Sequence, residues 1–177
     1  DFSKMLVSYP SRNTEILSTT ANGDTVESNV GQFNITVTQP DIPFTSPLFA
    51  TFCVDYFREI HVGETNLPYQ ALSLDSALHS ISSVVNPQNA GAIAYLYNHF
   101  GSTWSTSSSS FVPKAEAAGF QLAIWEIVYD SGNLNLGSGA FYVTNANGHA
   151  NTVALAQGWL NNLASFADNY HLVFLRS

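Results

Sequence analysis

Two residues of this 177-residue chain stand where chemistry could occur: Cys53, its single cysteine, and Gln121, a carboxamide inside a strongly apolar segment. A thiol is a nucleophile, and with no second cysteine it can form no disulfide within the chain. Its plainer role is that of a small buried hydrophobe. Gln121 lies in the stretch Ala115 to Tyr129, interrupted only by Glu116, Gln121 and Glu126. Read as a helix, that stretch is apolar nearly all round and therefore buried. An unpartnered amide there costs ~1–3 kcal/mol. Two arrangements relieve the cost. A backbone group or ordered water can satisfy the amide, or the Cys53 thiol can condense with it, expelling ammonia and leaving a thioester. Periodicity does not choose between them.

The elements that must carry these residues are legible in the pattern. Phe33, Ile35 and Val37 alternate with Asn34, Thr36 and Thr38, which predicts a half-buried strand over Gln32 to Gln39, ended by Pro40. Asn22-Gly23-Asp24 is a turn signal before it. A second strand is expected over Phe49 to Phe57. On it Phe52, Val54 and Tyr56 share one face, and Thr51, Cys53 and Asp55 share the other. Weaker strands are expected over Phe57 to Val62 and Pro68 to Leu74, around the turn Gly63-Glu64-Thr65-Asn66. The period then changes to that of helices, at about 88–101, 113–130 (opened by Pro113) and 148–168. In the last of these Thr152, Leu155, Ala156, Trp159, Leu160, Leu163 and Phe166 face a core, and Gln157, Asn161 and Asn162 face water. Ser102 to Ser110 and Asp130 to Gly139 are loops, Ala140 to Thr144 a short strand, and 170–175 a closing strand. A β-rich part over 1–75, then helices, then a returning strand give an α+β fold: a β-sandwich or curled antiparallel sheet with a helical insertion and about three helices, in one domain over 1–177.

Composition limits what such a domain does. Hydrophobic residues make up 45% and charged residues only 10%, well below the quarter typical of soluble domains, so the surface is built from Ser, Thr, Asn and Gln. That balance suits an extracellular setting. The net charge is −8, and Lys4, Arg12, Arg58, Lys114 and Arg176 are scattered, which argues against nucleic acid and anionic membranes as partners. No apolar run approaches the ~20 residues of a membrane span. We expect a leader, if one existed, to have been removed, and the chain to be a piece of a longer surface protein. No two histidines are spaced i, i+4 and one cysteine cannot build a structural zinc site, so neither a metal nor another cofactor is expected. Asp130 to Asn135 fails the calcium-loop spacing and reads as a turn.

Phe52-Cys53-Val54-Asp55, followed by Phe120-Gln121-Leu122-Ala123-Ile124-Trp125, resembles the paired motifs of the thioester domains of bacterial surface adhesins. In that family an aromatic-Cys-aliphatic-Asp strand motif is joined to the Gln of a helix motif that ends in Trp. The order matches, with Gln121 following Cys53 by 68 positions (121 − 53), and a helix near Gly91 to Phe100 falls between the motifs as it does in the family. The resemblance spans roughly Phe49 to Phe166, and departs from it in a Ser-rich loop and a shortage of lysine. It implies a Cys53–Gln121 thioester that captures an amine, typically a partner's lysine, as an isopeptide. The event occurs once per molecule without turnover, on an extracellular, monomeric domain, and serves adhesion. Phe52, Asp55, Trp125 and Tyr129 are the residues expected to line the site. Two other readings stay open. One is a non-covalent carbohydrate- or protein-binding surface module with a buried free thiol. The other is a Cys/His acyl-transfer enzyme using one of His61, His79, His99, His149 and His171. Asp55 and Glu126 flank the pair and by default are solvated carboxylates at element ends.

Overall fold

The computed structural model describes residues 5–39, 44–45, 49–73, 78, 89–101, 112–130, 132–163 and 173–176. Its centre is a long hairpin of β1 (Met5–Ala21) and β2 (Asp24–Gln39). Asn22 and Gly23 join them with φ of 50° and 92°. Both values are positive, as the right-twisted type I′ hairpin turn requires, and Asn-Gly is the pair that adopts them at least cost. β3 (Phe44–Thr45) and β4 (Phe49–Thr51) pair with β2; β5 (Leu67–Ser73) and β6 (Phe141–Asn145) pair with opposite ends of β1; β7 (Val173–Arg176) pairs with β5. Every pairing is antiparallel. Among the described residues three helices of a turn or more complete an α+β fold: α1 (Ala90–Leu96), continued by a π-helical turn over Tyr97–Gly101, α2 (Lys114–Tyr129) and α3 (Ala150–Asn161). The sheet curls around α2.

A single irregularity lets the hairpin serve two cores. Ser8 pairs with Thr36 but Ser11 pairs with Asn34, so three steps on β1 match two on β2. That extra residue is a β-bulge, and because side chains alternate it exchanges the faces of β1. Before it, Met5, Val7 and Tyr9 pack with Phe33, Ile35 and Val37 on one face. Beyond it, Leu17 and Ala21 join Val30 in the core that receives α2, with Phe120, Leu122, Ile127 and Phe141 fully buried there. Alternation along β1 does not reveal this inversion, because odd-numbered residues are buried on both sides of the bulge, and beyond it they include the polar Asn13 and Thr19 where the pattern calls for apolar residues.

Two strands, one helix end and one residue differ from the sequence expectation. The strand expected over Phe49 to Phe57 stops at Thr51, and Phe52 to Arg58 form an irregular turn, so Cys53 sits just past a strand end. Phe57 to Val62 is not a strand either; its residues bend back toward Tyr9, whose carbonyl accepts from Gly63 N–H at 2.8 Å. Gln157, expected to face water, is instead partly buried. Its Oε1 accepts from Leu136 N–H at 2.9 Å, and its Nε2 donates to the Leu134 carbonyl at 2.9 Å. The last expected helix ends at Asn161, short of the expected 168, and the last expected strand is present as Val173–Arg176, whereas the Ser-rich loop and Phe166 lie outside the described residues.

Candidate functional site

The greater part of α2 is buried on all sides, from Ala117 to Tyr129. It can be, because that segment carries no charge but Glu126, and Gly119 permits close approach to α3, where an added Cβ would meet the Thr152 carbonyl at 3.3 Å. Along one stripe of this helix, at i, i+4 and i+8, stand Gln121, Trp125 and Tyr129. Each meets the turn that follows β4.

Gln121 is wholly buried, and its side chain is paired with the main chain of Cys53. Cys53 N–H donates to Gln121 Oε1 at 2.7 Å, and Gln121 Nε2 donates to the Cys53 carbonyl at 2.5 Å. The amide thus takes the place of the ladder partner that Cys53 loses where β4 ends. One turn along, Trp125 packs edge-on against Tyr56 with ring centroids 5.1 Å apart, and Tyr56 also touches Phe141 at 5.9 Å. The Tyr56 hydroxyl donates to the Thr19 carbonyl at 2.8 Å, tying the turn to β1. A further turn on, the Tyr129 hydroxyl accepts from Tyr56 N–H at 3.2 Å and lies 3.4 Å from Asp55 Oδ1. Phe52 stacks at a tilt on Phe120, 4.8 Å away, on the other flank.

The thiol is free, and its residue is partly buried. It donates to the Asp55 carbonyl at 3.0 Å. Burial pushes it up to about 12, the nearby Asp55 charge adding to the effect against the hydrogen bond to the Asp55 backbone. At neutral pH it is therefore a thiol, not a thiolate. Asp55 itself folds back: its Oδ1 accepts from Phe57 N–H at 3.0 Å, and its Oδ2 lies 3.8 Å from Arg58 Nε. Tyr129 is likewise held protonated, by burial first and then by the Asp55 charge. Phe57 leans against Tyr56 and Tyr129 but leaves half its surface to solvent.

Compared with protein-family models, with curated proteins and with solved structures, the chain matches none.

The four residues expected to line the site are therefore gathered at the turn: Phe52 and Asp55 within it, Trp125 and Tyr129 on the helix above it. Glu126 is not among them, and it is not a solvated carboxylate. It is wholly buried on another face of α2, where Oε1 accepts from Asn135 N–H at 2.5 Å and Oε2 has no partner among the described residues. Burial, and then the Asp130 charge, push its carboxyl up to about 8. Asp130 follows α2 and spends both oxygens on the Ala140 and Phe141 N–H groups, at 3.0 and 2.9 Å. Among the described residues no group of three or more His, Cys, Asp or Glu could hold a metal ion. His61 lies 3.5 Å from Glu59, His99 stacks on Tyr95 at 3.7 Å, and His149 lies 3.4 Å from Glu15; His79 and His171 fall outside the described residues. No helix of the described residues is long and apolar enough to cross a membrane.

Sequence reasoning missed the parts that the backbone supplies. Cys53 N–H on the Gln121 oxygen, the Asp55 carbonyl on the thiol and the Thr19 carbonyl on Tyr56 are main-chain groups, which every residue carries. Trp125 and Tyr129 are findable, since they repeat the phase of Gln121 along the helix.

Proposed function

We propose that Cys53 and Gln121 condense to an internal thioester, and that the domain uses it at a cell surface to capture an amine of a partner covalently, in the manner of bacterial adhesins. The observation that carries this reading is the two-point pairing of the Gln121 amide with Cys53, which sets the carboxamide of one residue against the residue that bears the only thiol. Attack of the sulfur on the Gln121 side-chain carbonyl carbon forms the C–S bond. Negative charge then develops on Oε1, where Cys53 N–H already donates and acts as an oxyanion-hole donor. The C–N bond breaks, the amide nitrogen takes the thiol proton, and ammonia leaves. A partner's primary amine, such as a lysine, later attacks the same carbon. The new amide bond forms, the C–S bond breaks, and a proton from the amine ends on the sulfur. The event is stoichiometric and regenerates nothing, so the domain is a covalent binder, not an enzyme with turnover.

A second reading is favoured by a specific observation. The Gln121 amide has the Cys53 main chain on both its ends and the thiol has the Asp55 carbonyl, so these two groups have partners without a new bond. Under that reading the chain is a non-covalent carbohydrate- or protein-binding surface module with a buried free thiol.

Intact mass separates the two. Loss of ammonia makes the freshly purified chain ~17 Da lighter than its sequence, and Cys53→Ala abolishes the deficit. Methylamine should then add to Gln121 and release one thiol. Full sequence mass with one titratable thiol in fresh native protein selects the second reading.

A further inference from the structure

The thiol and Tyr129 grip opposite ends of one peptide group. The Asp55 carbonyl, which accepts from the Cys53 thiol at 3.0 Å, and the Tyr56 N–H, which donates to the Tyr129 hydroxyl at 3.2 Å, belong to the single planar unit between residues 55 and 56. Rotating that plane moves both groups together. Tyr129 is fixed in turn by its place on the buried face of α2 and by the edges of Tyr56 and Phe57, with centroids 6.3 and 6.0 Å away. Its hydroxyl has a second anchor in Asp55 Oδ1, 3.4 Å away. Two turns earlier on the same helix stripe, Gln121 holds the main chain of Cys53. The turn is therefore clamped at both ends by one rigid helix.

We infer that Tyr129 is a positioning residue for thioester formation: by fixing the 55–56 peptide plane it sets where the Cys53 sulfur lies relative to the Gln121 carboxamide, whose amide holds the Cys53 main chain. The inference rests on the thioester reading. Tyr129 touches neither reacting atom and acts only through the turn. Phenylalanine at this position keeps the ring contacts but leaves Tyr56 N–H without its acceptor, and the peptide is then free to rotate toward another acceptor. The sulfur follows the carbonyl and leaves its fixed position.

The test compares wild type, Tyr129→Phe, Asp55→Asn and Asp55→Ala, each freshly purified, by intact mass and thermal melt. The expected result is a Tyr129→Phe protein with a native-like melt, in which the ratio of chains carrying the ammonia deficit to chains without it falls about fivefold, the factor one hydrogen bond is worth. Asp55→Asn keeps an oxygen at the Oδ1 position and should keep most of the deficit; Asp55→Ala should lose it as Tyr129→Phe does. Should Tyr129→Phe fail to fold, the Asp55 pair decides alone. A wild type with the full deficit, beside Tyr129→Phe and Asp55→Ala proteins that carry it equally, would overturn the inference and leave the thioester standing. A wild type at full sequence mass would instead remove the thioester reading, and this inference with it.

Discussion

Replacing Glu126 with glutamine should flatten the pH dependence of stability and make the protein more stable than wild type in mild alkali. Glu126 is wholly buried, with one oxygen on Asn135 N–H and the other unpartnered among the described residues. Burial raises its carboxyl from 4.5 to about 8, with the Asp130 charge adding. Between those values the folded chain holds a proton that the unfolded chain has released. The slope of unfolding free energy against pH is then negative, about 1.4 kcal/mol per unit. The contribution is fully present below 4.5 and is lost as pH rises through about 8. Over that window the loss amounts to roughly 3–6 kcal/mol, or about 2–4 °C of Tm for each kcal/mol in a chain of this size. A glutamine at this position cannot ionise, still offers an acceptor to Asn135, and adds a buried N–H whose cost of ~1 kcal/mol is the same at every pH. Denaturant unfolding at half-unit steps from about pH 4.5 to 9 spans the window and provides the measurement. Wild type should fall steadily to near pH 8 and level off, while E126Q runs nearly flat and crosses above it. Parallel curves for the two proteins would show that Glu126 is not the titrating group, and the reasoning from its burial would fail.

Two further outcomes are expected. In folded protein whose Cys53 thiol is free, alkylation by iodoacetamide should be slow at neutral pH and climb about tenfold per unit to about pH 10, because the thiolate appears only toward about 12; a plateau near pH ~8–9 would contradict the burial of the sulfur. Gly31→Ala should cost ~2–4 kcal/mol in a denaturant melt, since φ is +146° and the new Cβ would lie 2.5 Å from the Asn13 carbonyl oxygen, whereas Gly148→Ala, at φ +88° with open space around it, should cost only ~1 kcal/mol; equal costs would refute the crowding argument.

Much of the site is legible in the sequence because its parts obey local rules. The helical period puts Gln121, Trp125 and Tyr129 on one stripe, and the scarcity of polar neighbours marks that helix as buried from residue types alone. Asn22-Gly23 announces the hairpin by the positive φ it tolerates. The lone thiol and the buried amide are conspicuous by type. Strand alternation misleads at Cys53, because β4 ends at Thr51 and the turn beyond it is shaped by contacts with a helix whose Gln121 lies 68 positions away.

Residue types and periods thus determined the α+β class, the buried helix and the two candidate reactive groups. Only the tertiary structure decided that the Gln121 amide lies on the main chain of Cys53, that the bulge near Pro10 splits one hairpin between two cores, and that Glu126 is sealed inside. The reason is physical. Side-chain periodicity reports which face a residue presents, but main-chain donors and acceptors are the same at every position, and which of them meet is set by packing between distant segments.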